Sequence, residues 1–166
     1  MVIDSEYARR VGEYLLGQTL KLVTAESCTG GWIAKCITDV PGSSAWFDRG
    51  FVTYSNAAKM EMLGVRSETL ARFGAVSEET VREMATGALV CSRAQVAVAV
   101  SGIAGPTGGT PEKPVGTVWL AWQLEGQAAL TRLCRFEGDR EAVRYQAVAA
   151  ALQGIIELCE TATTPD

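Results

Sequence analysis

The sequence contains no histidine, and this absence excludes several kinds of active site. A Ser-His-Asp triad, a Cys-His pair and any metal site with histidine ligands all require an imidazole side chain. The five cysteines, Cys28, Cys36, Cys91, Cys134 and Cys159, include no Cys-x-x-Cys pair. Their odd number and scatter are typical of reduced thiols in a cytoplasmic protein. An acyl-transfer enzyme with this sequence must therefore use a base other than histidine.

The sequence also lacks a basic cluster and a long apolar run. Its 15 lysines and arginines stand against 19 aspartates and glutamates, which gives a formal net charge of −4. This composition predicts no binding to nucleic acid or to an anionic membrane. The apolar runs are shorter than the roughly 18 residues of a membrane span, and no signal-peptide pattern is present. With 166 residues, 48% of them apolar, the chain is predicted to form one soluble domain over residues 1–166.

Hydrophobic periodicity predicts helices that alternate with strands. Predicted helices cover residues 4–18, 56–63 and 77–92, another passes through Trp32 and Ile37 and ends before Pro41, and a last one begins at 139. The predicted strands cover residues 20–24, 51–54, 95–100, 115–124 and 128–136. Asn56 and Ser77 are the predicted N-caps of the third and fourth helices. This order predicts an α/β fold with one mixed sheet that is flanked by helices on both faces.

The first segment with catalytic potential follows the first predicted strand. A polar run from Ser27 to Thr29 leads into Gly30-Gly31 and a helix, so Ser27 is expected where the first helical N–H groups have no partner. Such groups can stabilise an oxyanion, but Ser27 or Thr29 can also simply cap the helix. Cys28 is a rival nucleophile, although without histidine its activation would depend on the helix N-terminus and a cation. A buried structural thiol is the alternative for Cys28.

The second segment offers a base. If Asn56 caps the third helix, Lys59 lies in its first turn, near the positive end of the helix dipole. This position and any burial would lower the pKa of the lysine. A neutral lysine can replace histidine as a general base, since Ser-Lys pairs replace triads in other enzymes. The alternative is an ordinary surface lysine.

The third segment is the glycine-rich stretch Ser101–Thr110, which directly follows a predicted strand. Exposed backbone N–H groups in such a turn can form a concave site for phosphate. The stretch is neither a P-loop nor a Gly-x-Gly-x-x-Gly motif, and the alternative is a tight connection. Lys113 and Arg140 are the cations expected to add positive charge here.

Together these segments resemble the C-terminal domain of the competence/damage-inducible protein CinA, a family that includes stand-alone nicotinamide mononucleotide (NMN) deamidases. The resemblance extends from about Leu16 to Leu152. Its motifs are Thr24-Ala25-Glu26-Ser27-Cys28-Thr29-Gly30-Gly31, Pro41-Gly42-Ser43-Ser44, Tyr54-Ser55-Asn56 with Lys59, Gly74-Ala75-Val76-Ser77, Gly102-Ile103-Ala104-Gly105-Pro106, Lys113-Pro114-Val115-Gly116-Thr117-Val118 and Gly138-Asp139-Arg140. Ser101 stands where the family usually has threonine, which keeps the hydroxyl group.

The resemblance implies hydrolysis of the NMN carboxamide to nicotinate mononucleotide and ammonia, with no metal and no cofactor. It implies Ser27 as the nucleophile, with Lys59 and Tyr54 as its partners, and Tyr54 follows from the resemblance alone. The residues expected to bind substrate are Cys28, Thr29, Gly30, Gly31, Gly102, Ile103, Ala104, Gly105, Lys113 and Arg140. A cytoplasmic homodimer without nucleic-acid or membrane partners is expected.

Two other functions stay open on the sequence alone. One is a non-catalytic nucleotide-binding or interaction module related to DNA uptake, as the family's name suggests. The net negative charge of the chain argues against DNA binding. A domain without catalytic activity would not need both Ser27 and Lys59. The other is a Cys28 amidase of the nicotinamidase type, which lacks its metal and acid partners here. Ammonia release from NMN would distinguish these functions.

Overall fold

The computed structural model describes residues 2–163, and its strands form one five-stranded sheet. The strands are β1 (Leu22–Glu26), β2 (Phe47–Val52), β3 (Val96–Gly102), β4 (Thr117–Leu124) and β5 (Leu130–Arg135). The helices are α1 (Val2–Gln18), α2 (Trp32–Thr38), α3 (Asn56–Leu63), α4 (Ser67–Phe73), α5 (Glu78–Val90) and α6 (Arg140–Thr163), with a short 3₁₀ turn at Ser43–Ala45. The predicted domain of residues 1–166 includes Met1 and residues 164–166, which lie outside the described residues. Its limits stay a prediction.

The strand order explains where a site can form. The sheet has the order β2-β1-β3-β4-β5, with β1 parallel to both β2 and β3, whereas β4 and β5 are antiparallel to their neighbours. After β1 the chain forms β2 on one side of β1, and it later forms β3 on the other side of β1. At such a switch point the connections diverge and leave a crevice at the carboxyl ends of the strands. The predicted mixed α/β sheet is confirmed.

The core lies on both faces of the sheet because side chains of the central strand alternate. Val96, Val98 and Val100 of β3 pack with α1, α2 and α6, whereas Ala97 and Ala99 pack beneath α5. Small side chains on the second face bring the helices close together there. Each face of the sheet is therefore covered by a helical layer, as the sequence predicted. Among the described residues, no helix has the length and apolar character that a membrane span requires.

The structure differs from the local predictions at three places. The strand predicted at 51–54 begins at Phe47 and ends at Val52, because this edge strand is too exposed to show an apolar alternation. Helix α4 was not predicted, since few of its side chains are buried. Helix α3 is capped by Ser55, not Asn56, because the Ser55 side chain accepts a hydrogen bond from the Ala58 N–H. By contrast, Ser77 caps α5 as predicted.

Candidate active site

The carboxyl ends of three parallel strands bring the candidate catalytic residues together. Ser27 directly follows β1, and its N–H donates to the Val100 carbonyl of β3 at 3.0 Å. Thr53 directly follows β2, and its N–H donates to the Glu26 carbonyl of β1 at 2.8 Å. These two hydrogen bonds continue the sheet by one residue beyond its edge. Ser27 is therefore held by rigid strands and not by a free loop.

Lys59 points inward from α3 and reaches Ser27. It is the fourth residue of α3, and its side chain is almost fully buried, with 1% of its surface exposed. Its Nζ lies 2.8 Å from Ser27 Oγ. The same amine donates to the Thr53 carbonyl at 2.8 Å, which fixes its position. A serine hydroxyl and a lysine amine thus lie in direct hydrogen-bond contact.

The surroundings of Lys59 favour its neutral form. Burial lowers the pKa of the ammonium below its ordinary value. Among the described residues, no carboxylate forms an ion pair with Lys59 that would counteract this shift. A neutral amine can accept the proton of the hydroxyl group that it contacts. The alternative of an ordinary surface lysine is wrong for this position.

Cys28 is buried beside Ser27 but is not activated. Burial raises the pKa of its thiol to about 11, which keeps it protonated near neutral pH. Its Sγ also packs close to Gly102, where an added Cβ would lie 3.2 Å away. This environment is that of a structural thiol.

The N-terminus of α2 is occupied by Glu26. The buried carboxylate of Glu26 accepts hydrogen bonds from the Ile33 N–H at 2.8 Å, the Ala34 N–H at 3.1 Å and the Thr29 hydroxyl at 2.6 Å. The expectation that these helical N–H groups lack a partner beside Ser27 was therefore wrong. Neither Ser27 nor Thr29 caps the helix, because the N-cap position is Gly31. An oxyanion must instead use N–H groups of the loop that precedes α2.

We expect Glu26→Gln to destabilise the protein markedly. The amide cannot accept hydrogen bonds at both positions, so one buried donor loses its partner. The free energy of unfolding should fall by about 2–3 kcal/mol. Urea unfolding measures the difference, with Glu13→Gln as the control, since the Glu13 side chain is 61% exposed. Equal losses for the two variants would show that Glu26 does not hold α2 in place.

Tyr54 and Arg140 form the rim of the site. Tyr54 is 60% exposed, and its hydroxyl accepts a hydrogen bond from Arg140 Nη2 at 3.2 Å. Arg140 Nη1 donates to the Gly105 carbonyl at 2.7 Å, which ties the glycine-rich turn to α6. The Tyr54 carbonyl lies 3.5 Å from Lys59 Nζ. Tyr54 thus contacts Lys59 through its backbone and Arg140 through its side chain.

Two concave regions lie at these residues, and Arg140 lines both of them. The first, the Ser27 cavity, has a volume of about 190 Å³ and is lined by Ser27, Cys28, Tyr54, Asn56, Lys59, Ala75, Val76, Ser101, Gly102, Ala104 and Arg140. The second, the basic cleft, has a volume of about 630 Å³ and is lined by Thr29, Gly30, Gly31, Trp32, Lys35, Arg140, Glu141 and Arg144. Arg140 is therefore the side chain that the two regions have in common.

The structure does not bring every expected binding residue to these walls. Ile103, Gly105 and Lys113 lie outside both regions. Lys113 instead donates to the Phe73 carbonyl at 2.7 Å. The sequence did not identify Arg144 as a site residue. Arg144 lies one helical turn after Arg140, and no motif in the neighbouring residues distinguishes it from a surface arginine. Within residues 2–163, no three His, Cys, Asp or Glu side chains cluster closely enough to hold a metal ion.

Comparison with known proteins adds an independent line of evidence. Residues 4–159 match the CinA C-terminal domain. The chain is 60% identical over 153 residues to "Nicotinamide-nucleotide amidohydrolase PncC" of Escherichia coli, covering 90% of this chain and 93% of that protein. The protein of that name from Pseudomonas putida is 56% identical over 151 residues, covering 91% and 94%. The crystal structure of competence/damage inducible protein CihA from Agrobacterium tumefaciens matches with a TM-score of 0.92 and 50% identity, covering 94% and 95%.

Proposed function

The chain belongs to the CinA C-terminal domain family, and we propose that it hydrolyses the carboxamide of NMN to nicotinate mononucleotide and ammonia. The relatives named as nicotinamide-nucleotide amidohydrolases support this activity, because they are 56–60% identical over at least 90% of this chain. The observation that carries the proposal is the contact of 2.8 Å between the buried Lys59 amine and the Ser27 hydroxyl. A binding module would have no use for a nucleophile and a base held in this contact.

In the proposed mechanism, neutral Lys59 accepts the Ser27 proton while Oγ attacks the amide carbon. The tetrahedral oxyanion accepts hydrogen bonds from backbone N–H groups of the loop that begins at Ser27 and Cys28. The Lys59 ammonium then gives its proton to the departing nitrogen, so ammonia leaves and an ester remains on Ser27. Water hydrolyses this ester with Lys59 again acting as the base. In the second half-reaction Lys59 takes a proton from water and returns it to Ser27 Oγ as the ester breaks, so acylation and deacylation each leave the dyad in its starting protonation state.

Tyr54 has a supporting role in this mechanism. Its carbonyl helps to orient the Lys59 amine, and its phenol hydroxyl is held by Arg140 at the mouth of the Ser27 cavity. In the proposed complex the aromatic side chain of Tyr54 lies against the pyridine ring of the substrate. Tyr54 therefore contacts both the proposed base, Lys59, and Arg140 at the mouth of the cavity.

The two concave regions suggest how the nucleotide lies. The Ser27 cavity, at about 190 Å³, is below the roughly 300–1,000 Å³ of common ligand pockets, so it suits the pyridine ring rather than the whole nucleotide. The ribosyl phosphate must then extend past Arg140 into the basic cleft. A guanidinium group matches the geometry of a phosphate. We assign the phosphate to Arg140 rather than to Lys113, because Lys113 lies outside both walls.

We expect the wild-type protein to prefer NMN over nicotinamide riboside by about 100-fold in kcat/KM, since a charge-assisted phosphate contact contributes about 2–3 kcal/mol. Arg140→Met should reduce this preference to less than about tenfold, whereas Lys113→Met should preserve it. Steady-state kinetics on both substrates measures the ratios. Loss of the preference in Lys113→Met alone would instead place the phosphate on the glycine-rich turn.

Ammonia release from NMN tests the proposed activity. The purified protein should release ammonia and nicotinate mononucleotide in equal amounts, at the same rate with and without a chelator. A protein that binds NMN but releases no ammonia would be the non-catalytic nucleotide-binding module. Activity that a chelator abolishes would contradict the mechanism without metal.

We further propose that the enzyme acts as a homodimer in the cytoplasm, without nucleic-acid or membrane partners. The five free cysteines suit a reducing compartment, and the net charge of −4 does not favour nucleic acid. The dimer is supported by the family resemblance alone. Light scattering on the purified protein measures the mass, and the mass of one chain would contradict the dimer.

A further inference from the structure

We propose that Asn56 recognises the nitrogen of the substrate carboxamide, with its side-chain oxygen Oδ1 accepting a hydrogen bond from the amide N–H. Asn56 lines the Ser27 cavity together with Ser27 and Lys59, and its surface is exposed to solvent. This role rests on the proposed amide hydrolysis at Ser27 and adds a specificity-determining residue to that reaction.

The Asn56 amide group is free to bind a ligand. The N-cap of α3 is Ser55, whose side chain accepts a hydrogen bond from the Ala58 N–H at 3.0 Å. Asn56 follows as the first residue of α3, and within residues 2–163 its side chain forms no hydrogen bond. A carboxamide side chain offers one acceptor oxygen and two N–H donors. Asn56 therefore presents unused hydrogen-bonding groups in the wall of the cavity that holds the dyad.

Lys59 places its amine at the same end of α3 as Asn56. The lysine side chain folds back along the helix, since Nζ donates to the Thr53 carbonyl at 2.8 Å and lies 3.5 Å from the Tyr54 carbonyl. Both carbonyls belong to the segment directly before α3. Asn56 is three residues before Lys59, and residues at this spacing lie on one face of a helix. The amine and the Asn56 side chain are therefore neighbours at the N-terminal end of α3.

The leaving nitrogen of the substrate must lie at this same place. In the proposed mechanism it takes a proton from Lys59 Nζ, which requires a distance of about 2.6–3.2 Å. A primary amide nitrogen carries two N–H donors, and donors enclosed in a site need acceptors. The Oδ1 atom of Asn56 is an acceptor beside this position. When one N–H is held by Asn56, the nitrogen keeps a fixed orientation toward the proton that Lys59 delivers.

The carboxamide oxygen is bound by a different part of the chain. The oxyanion faces the loop that begins at Ser27 and Cys28, directly after β1, whereas Asn56 and the base belong to α3. The nitrogen and the oxygen of the carboxamide thus have separate partners. A ligand without an N–H group gains no hydrogen bond from Asn56 Oδ1, so this side chain selects carboxamides.

Binding to the Ser27→Ala protein tests the proposal, because this variant does not turn the ligand over. The ligands are NMN and 3-acetylpyridine mononucleotide, in which a methyl group of similar size replaces the carboxamide NH₂. The methyl ketone should bind about tenfold more weakly than NMN, the effect of one hydrogen bond between neutral groups. Calorimetry measures both dissociation constants.

Asn56→Leu, added to Ser27→Ala, should remove the preference for NMN, since leucine has a similar shape but no acceptor. NMN should bind about tenfold more weakly than before, and the ketone should change by less than about threefold. Asn56→Asp keeps an acceptor oxygen and should keep the preference. Glu61→Leu is the matched control, because Glu61 is exposed on the same helix but lines a different concave region.

The outcomes separate this role from others. Equal weakening of NMN and the ketone by Asn56→Leu would make Asn56 a packing residue and overturn the inference, as would unchanged binding of both ligands. Loss of the preference in Asn56→Asp would also overturn it, because the side-chain nitrogen and not Oδ1 would then be used. If the leucine variant does not fold, Asn56→Ala decides by the same comparison, since alanine is favoured in helices.

Failure of the proposed function would give a different result. A Ser27-containing protein that releases no ammonia from NMN would overturn the amide hydrolysis itself, whatever the binding constants are. An active protein that binds NMN and the methyl ketone equally well in the Ser27→Ala background would overturn only the role of Asn56.

Discussion

Replacing Ser27 with alanine is expected to reduce ammonia release from NMN by about 10⁴–10⁶-fold, the range seen when the nucleophile of a serine hydrolase is removed. Lys59 can no longer pass a proton from a nucleophile to the leaving group, and among the described residues Ser27 is the one hydroxyl to which its amine is hydrogen-bonded. The fold should survive, because the side chain of Ser27 contributes one hydrogen bond, worth about 1–3 kcal/mol. The rate is measured by ammonia release and the stability by urea unfolding.

Cys28→Ala is the matched control for this prediction. The Cys28 side chain is adjacent to Ser27 in the sequence and nearly the same size as the serine side chain. Its thiol stays protonated because burial raises the pKa of Cys28 to about 11. We expect this variant to keep kcat within about tenfold of the wild type, since no bond to Cys28 is made or broken. If Cys28→Ala were inactive and Ser27→Ala active, Cys28 would be the nucleophile.

Replacing Lys59 with arginine is expected to reduce kcat by about 1,000-fold or more, although the positive charge is kept. A guanidinium does not lose its proton near neutral pH and therefore cannot accept one from Ser27. In the wild type, activity should fall as the pH falls through the Lys59 pKa, because the ammonium that forms cannot act as a base. Burial lowers this pKa, so the activity should reach its plateau at a lower pH than an exposed lysine would allow.

Rate measurements across the pH range test the prediction for Lys59. Lys59→Met, which is neutral at every pH, should be as slow as Lys59→Arg and should show no such pH limb. An arginine variant within about tenfold of the wild type would show that Lys59 acts only through its charge. A wild-type limb that persists in Lys59→Met would assign the titration to another group.

The sequence predicted the fold class because periodicity in the central strands is strong. Val96–Val100 are covered on both faces, so an apolar run alone identifies a strand. Edge strand β2 is half exposed and its bounds were wrong for that reason. Because the sequence has no histidine, Lys59 is one of the few possible general bases. Its predicted place in the first turn of a helix was the reason to expect a lowered pKa. The cause that lowers the Lys59 pKa in the structure is burial, which could not be predicted from the sequence.

Contacts between distant parts of the chain could not be predicted. Glu26 binds N–H groups seven and eight residues later, beyond the usual spacing of a helix cap. Arg144 contacts carbonyls that are 115 and 116 residues away, and nothing in its local sequence distinguishes it from a solvated arginine. Such contacts depend on how α6 packs against α2. Residues that position the catalytic loop are therefore harder to recognise than the dyad itself.

The central claim is that Ser27 and Lys59 act as one unit, and a double-variant cycle tests it most directly. Residual kcat/KM on NMN is measured for Ser27→Ala, for Lys59→Met and for the variant that carries both changes. Groups that act in one step give losses that are far from additive, so the double variant should be no slower than the slower single variant. Losses that multiply in the double variant would show that the two side chains act independently and would contradict the dyad.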